Sequence, residues 1–432
     1  TSLDPAMQEK AEAACAAQNE VIADNLESSI VAVEPSTGYI KALVGGKDYF
    51  SNQWNVATQG GQPTGSSFKP FTLAAAIEQG INPATMIDCT NPMTITGGKE
   101  LWNFGNTNYG IRSIASATTV SSNTGYYRLA EKVTPAAMNE MAQRLGANFE
   151  TQNLPIATLG TENVTPLDMA KAYATFATGG MRHEAVAVTK IVDKNGNVVY
   201  EAPTSDEGER VISEEVTGAV TKVLRTVFES SDGTAYGMMP TNGQPVAGKT
   251  GTVQEFRGHW LVGYSPQLSC AAWIGSRNYE QTDEDLTANY LWRDFMSRAL
   301  AGTEIVQFPE TKDPEYKNPF NTEQKEKYAK QTQEEKDKEL AAKAAGAVGL
   351  SLSDAASLLN GYDVSYTEEY SSSVAAGIVI SQSVQNGKIV LVVSKGPKPV
   401  DPTPTPTPTP TPDPDPPPDP DPTPDPPPDG TG

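Results

Sequence analysis

The sequence of 432 residues is poor in the groups that most often carry metal and acid–base chemistry, with two histidines, His183 and His259, and three cysteines, Cys15, Cys89 and Cys270. Two histidines leave little material for a histidine-based triad or a multi-histidine metal site. No metal and no cofactor is expected, and both histidines read as surface or packing residues. Three scattered cysteines are too few for a disulfide framework or a zinc cluster. Positive charge is also scarce. A net charge of −21 argues against any role that depends on neutralising phosphates, so nucleic acid is not an expected partner. No stretch approaches the roughly 18–20 consecutive apolar residues of a membrane-spanning helix, and the opening TSLDPAMQEK lacks the basic and apolar regions of a signal peptide.

What is present suffices for a large core. Of the residues, 38% are hydrophobic and 20% charged, which fits a globular chain of more than one domain. Residues 28–34 (SSIVAVE) and 39–45 (YIKALVG) read as a β-hairpin around the turn-forming PSTG. A second strand group follows at 245–253, 259–265 and 268–275. Between the groups the pattern is mainly helical. Residues 66–79 form a predicted helix ending at Gly80, and further helices start at Thr134-Pro135 and at Thr165-Pro166, where Thr165 and Asp168 have capping-box spacing. Strands at both ends with helices between predict an α+β domain whose terminal strands share one antiparallel sheet.

Residues 305–345 are a charged linker or solvated helix. Residues 346–396 form a small second α+β unit: a short helix in SLSDAASLLNG, then β-like runs GIVISQSV and KIVLVVS around Asn386-Gly387, a tight-hairpin signal. From 397 to 432 repeated Pro, Thr and Asp predict a disordered, polyproline-like spacer.

The chemistry concentrates in PTGSSFKPF, residues 63–71. Taken alone, Ser66 is an N-cap and Lys69 a surface charge. Two further elements change this reading: SSN at 121–123 and KTGT at 249–252, in the order of the S-x-x-K, S-x-N and K-T-G set of serine acyl-transfer enzymes. Lys69, on the same helix face as Ser66, can act as base if burial and a second cation lower its pKa. Lys249 is the candidate second cation, Ser121 a hydroxyl bridge for protons, and Asn123 an amide that orients substrate. The strand carrying Lys249, Thr250, Gly251 and Thr252 suits an anionic peptide docking along its edge, with Gly251 expected to admit the substrate backbone.

With these motifs the chain resembles the transpeptidase domain of class A penicillin-binding proteins. TSLDPAMQ (within a lead-in, 1–23), SSIVAVEPSTGYIKALVGG, WNFGN with Trp102 and Asn106, and LGTENVTPLDMAKAYATFATGG are similar to family segments, placing that domain at 24–304. Residues 346–396 resemble a PASTA domain. The resemblance implies the serine D,D-peptidase fold, an antiparallel sheet flanked by helices with a helical subdomain. It also implies D,D-transpeptidation of peptidoglycan stem peptides at Ser66, with Lys69 as base and the Ser66 and Thr252 amides as oxyanion hole. Thr250 and Thr252 would contact the substrate carboxylate, and β-lactam antibiotics would acylate Ser66. A location outside the cytoplasm and a longer, membrane-anchored natural protein are expected. The alternatives are a D,D-carboxypeptidase or β-lactamase on the same fold, or a non-catalytic wall-binding protein. For the β-lactamase reading, TLGTENVTPLD offers no convincing deacylating glutamate.

Overall fold

The structure is a computed structural model and describes residues 1–50, 52–202 and 208–400. The predicted tail from residue 401 lies outside the described residues. Two compact units are present, Thr1–Ala329 and a second beginning at Lys330.

The first unit is built on five antiparallel strands: β1 (Glu27–Val33), β2 (Ile40–Val44), β3 (Ala247–Thr252), β4 (Gly258–Tyr264) and β5 (Ser269–Gly275). Their spatial order is β3-β4-β5-β1-β2, so strands from the two ends of the predicted domain do meet, β1 beside β5 with Ile30 opposite Ala272. Alternation sorts each strand onto two faces. Val31, Val33, Val262, Ala271 and Trp273 join one core with helices α2 (Lys69–Glu78), α6 (Pro166–Ala177) and α7 (Glu214–Glu229). Ile30, Ala32, Leu261, Ala272 and Ile274 join the other with α1 (Pro5–Asn19) and α8 (Asn289–Ala299). Both faces are covered, which is why β4 and β5 are buried along their whole length.

The remaining helices of this unit, α3 (Ile114–Thr119), α4 (Asn123–Val133) and α5 (Pro135–Leu145), lie between the strand groups in sequence. Thr165 caps α6 by accepting from the Asp168 N–H, as its spacing predicts. The reciprocal half of the box is replaced: the Thr165 hydroxyl donates to Asp168, whose carboxylate also pairs with Lys171. The charged stretch is helical as α9 (Pro319–Ala344), with Phe320 and Tyr328 buried.

In the second unit, α10 (Leu352–Leu358) precedes three strands, β6 (Val364–Glu369), β7 (Val379–Gln385) and β8 (Lys388–Ser394). β8 is central, antiparallel to β7 and parallel to β6. Asn386 and Gly387 take φ values of 51° and 76°, the left-handed pair that a two-residue hairpin turn requires. Ile389, Leu391 and Val393 alternate inward onto Ala347, Ala355, Leu359 and Val379.

Candidate active site

Ser66 lies in a 3-10 turn, Gly65–Phe68, that runs directly into α2. Its side chain is partly exposed and caps neither helical stretch. It is Ser67 that is used locally, donating to Thr64 O at 2.7 Å. Gly65, at φ 57°, allows the turn to press against β3: a Cβ there would collide with the Thr252 backbone. The side-chain space of Gly251 is likewise filled by Thr64 O, so the absent side chain that was expected to admit substrate instead seats the serine turn against the strand. Gly160, at φ 70°, brings a third backbone segment onto Gly65.

Below this turn two amines are fully buried. Lys69 donates to Ser121 O at 2.7 Å, Ser121 Oγ at 3.2 Å and Asn123 Oδ1 at 2.9 Å. Lys249 donates to the same Ser121 Oγ at 2.9 Å, and to Thr250 O at 3.2 Å. Both side chains are 0% exposed. Among the described residues neither amine has a carboxylate within ion-pair distance. Burial without a counter-ion disfavours the charged forms. It holds the Lys69 pKa well below the usual lysine value, with Lys249 adding like-charge repulsion. Burial also lowers Lys249 to about 7. A neutral amine is thus accessible near neutral pH, and Ser121 can accept from one lysine while its single proton points to the other.

The S-x-N and K-T-G segments form the opposite walls of a cleft that opens at Ser66. Asn123 lies at the start of α4, its Oδ1 on Lys69 and its Nδ2 donating to Trp102 O at 2.9 Å. A cavity of about 420 Å³ runs from Ser66 past Trp102, Asn123 and Thr252 toward Ile156 and Tyr279. A second, of about 320 Å³, is lined by Ser66, Ser121, Thr250, Thr252 and Thr234 and by the carboxylates Glu284 and Asp285. Thr234 Oγ1 is 2.7 Å from Thr250 Oγ1, forming a hydroxyl row beside Lys249. Phe104 and Phe256 meet edge-on at 5.9 Å across the cleft.

Nine of the ten predicted residues converge: Ser66, Lys69, Ser121, Asn123, Lys249, Thr250, Gly251, Thr252 and Trp102. Asn106 does not. It is exposed at φ 55°, lines neither cavity, and sends its N–H back to Asn103 O. The buried amide of that stretch is Asn103, which sequence reasoning missed because WNFGN offers two asparagines and no periodicity to choose between them. Glu162 accepts from Thr151 and lines neither cavity, so it is not placed to activate water at Ser66. His259 is a packing residue, 2.7 Å from Thr282 Oγ1, its pKa lowered to about 4 by burial. Trp260 packs under the strand and donates to Pro63 O. His183 is partly buried, and burial lowers its pKa. The three cysteines are free and buried, and no metal-holding cluster occurs among the described residues.

Comparison with known proteins places both folded segments in known domain families. The penicillin binding protein transpeptidase domain profile matches residues 28–297, and the PASTA domain profile residues 347–395. Penicillin-binding protein 1A of Mycolicibacterium smegmatis is 35% identical over 339 residues, covering 72% of this chain and 42% of that protein. Its namesake in Mycobacterium tuberculosis is 32% identical over 343 residues, covering 72% and 40%. The chain therefore spans about two fifths of the length of these relatives. The structure of PonA1 from Mycobacterium tuberculosis in complex with penicillin V is 30% identical, with a TM-score of 0.66 over 74% of this chain and 91% of that one. On these matches, this chain belongs to the penicillin-binding protein transpeptidase family, with a PASTA domain following the catalytic fold.

Proposed function

We propose that residues 24–304 are a peptidoglycan D,D-transpeptidase working through a serine acyl-enzyme. The observation that carries this reading is the Ser121 hydroxyl, 3.2 Å from Lys69 Nζ and 2.9 Å from Lys249 Nζ, beside an uncapped Ser66. Neutral Lys69 takes the Ser66 proton as Oγ attacks the penultimate D-Ala carbonyl of a stem peptide. The oxyanion is met by the Ser66 and Thr252 amides, and the terminal carboxylate by the hydroxyls of Thr250 and Thr252 next to Lys249. Collapse breaks the amide bond. The departing D-Ala amine receives its proton from Lys69, directly or through Ser121. An acceptor amine then attacks the ester, gives up a proton along the same relay, and regenerates Ser66. A β-lactam enters the same sequence, but its leaving nitrogen stays tethered and the acceptor path remains filled.

Residues 305–345 serve as linker and 346–396 as the PASTA unit in this reading. The reaction belongs outside the cytoplasm, where peptidoglycan lies. Among the described residues no helix is long and apolar enough to cross a membrane; membrane anchorage of the natural protein remains part of the proposal. The test is incubation with a D-Ala-D-Ala-terminated stem pentapeptide and an amine acceptor, read by mass spectrometry. Cross-linked product with release of one D-Ala per link is expected. Tetrapeptide alone would convert the reading to a carboxypeptidase, and unchanged substrate would overturn it.

A further inference from the structure

Asn103 is a buried amide, 2% exposed, lying between two cleft-lining residues, Trp102 and Phe104. Its Oδ1 accepts from Asn123 N at 2.8 Å, Thr124 N at 3.1 Å and Ser122 Oγ at 3.1 Å. Its Nδ2 donates to Cys89 O and Thr107 O, both at 3.0 Å, and its N–H donates to Asn91 Oδ1 at 2.8 Å. The first amides of a helix have no intrahelical acceptor. In α4 the two foremost are satisfied by Asn103, from twenty residues away in sequence, while the local cap Ser122 serves only Gly125 N. The residue held just ahead of this junction is Ser121, at φ 61°. A non-glycine residue in that conformation is strained and persists only where its surroundings fix it.

We propose that Asn103 is the positioning residue of the proton relay: by anchoring the start of α4 it holds Ser121 O, Ser121 Oγ and Asn123 Oδ1 on the Lys69 amine. This rests on the reading of Ser66 and Lys69 given above. An amide is needed at this place. A carboxylate keeps the acceptor for the α4 amides but turns an oxygen against the carbonyls of Cys89 and Thr107. It also brings a negative charge toward an amine that must be neutral to work. The titratable groups around Lys69 are Lys249 on β3, Tyr126 on α4 with its ring 5.4 Å from Nζ, and Cys89 after the short strand Met86–Asp88. None of these is a carboxylate, and among the described residues Glu284 and Asp285, which line the neighbouring cavity, make no ion pair with the amine, so a carboxylate at 103 would add a negative charge to this group.

The experiment is the second-order rate of acylation by a fluorescent penicillin as a function of pH, for wild type, Asn103→Asp, Asn103→Ala and Met138→Ala. Met138 is buried in the hydrophobic core of the first unit and lines neither cavity, so its truncation costs stability without removing a hydrogen bond of the relay. Expected are an Asn103→Asp rising limb displaced upward by about one pH unit, with recovery at higher pH, and an Asn103→Ala maximum reduced roughly 100-fold. Met138→Ala keeps the wild-type profile. An Asn103→Asp profile superimposable on wild type overturns the proposal, as does an Asn103→Ala loss no greater than that of Met138→Ala. If Asn103→Asp is unfolded at the assay temperature, Asn103→Ala against Met138→Ala decides by the same criterion. Absence of acylation in wild type itself would instead overturn the function on which this inference rests.

Discussion

The two units bury different things. In the second unit the core consists of Ala344, Ala347, Ala355, Leu359, Val379, Ile389, Leu391 and Val393, and its ion pairs, Lys388–Asp363 and Lys395–Glu368, lie at the surface. In the first unit Lys69 and Lys249 are both fully buried and, among the described residues, without carboxylate partners. Apolar burial stabilises, whereas burial of an unpaired cation costs free energy and lowers its pKa. The second unit therefore reads as a surface optimised for folding, and the cleft as one that sacrifices stability for a deprotonated amine.

The largest test of this contrast is Lys69→Ala. It should lower acylation by a fluorescent penicillin by about 10²–10⁴-fold, the span of a lost general base, with Tm held or raised. A residual rate within tenfold of wild type would place the base elsewhere. Next comes Gly251→Ala. Its Cβ meets backbone rather than a flexible side chain, so the serine turn must shift. An acylation loss of roughly 100-fold is expected from the misplacement, with destabilisation of about 1–3 kcal/mol read by chemical denaturation.

Lys249→Met should separate stability from function, gaining roughly 1–4 kcal/mol while weakening capture of carboxylate-bearing ligands. The pH dependence follows from the lowered value. Lys249 titrates near 7 when folded and near 10.4 when unfolded, so between these limits the unfolded chain binds more protons. Wild-type stability should rise with pH across that window, with the penalty complete below 7, and the slope should shrink in Lys249→Met. Denaturant midpoints measured from pH 6 to 10 give the sign, and a falling stability would contradict it. The smallest effect on acylation is expected from Ile389→Ala. Removing this fully buried side chain should destabilise the second unit by about 2–5 kcal/mol and leave the rate at Ser66 unchanged.

Much of this contrast was legible in the sequence. β1 with β2, and β3 to β5, follow from β-branched runs bounded by turn residues, and Asn386-Gly387 specifies the β7–β8 hairpin. Order and spacing of the three motifs identify the relay groups through their match to the S-x-x-K, S-x-N and K-T-G set, with helical spacing placing Lys69 on the face of Ser66. Long-range packing is what the sequence hides. Gly251 faces Thr64 rather than open space, and Asn103 rather than Asn106 is buried, because each depends on a segment distant in the chain. Phe320 and Tyr328 anchor α9 within a run so charged that composition suggests only a solvated helix.

The central claim is that Ser66 is the acylated nucleophile, and intact-mass analysis after incubation with a penicillin, beside Ser66→Ala, tests it most directly. One stable adduct of penicillin mass on the wild-type chain and none on Ser66→Ala is the predicted result. An adduct that survives in Ser66→Ala, or a wild-type chain that stays unmodified, would contradict it.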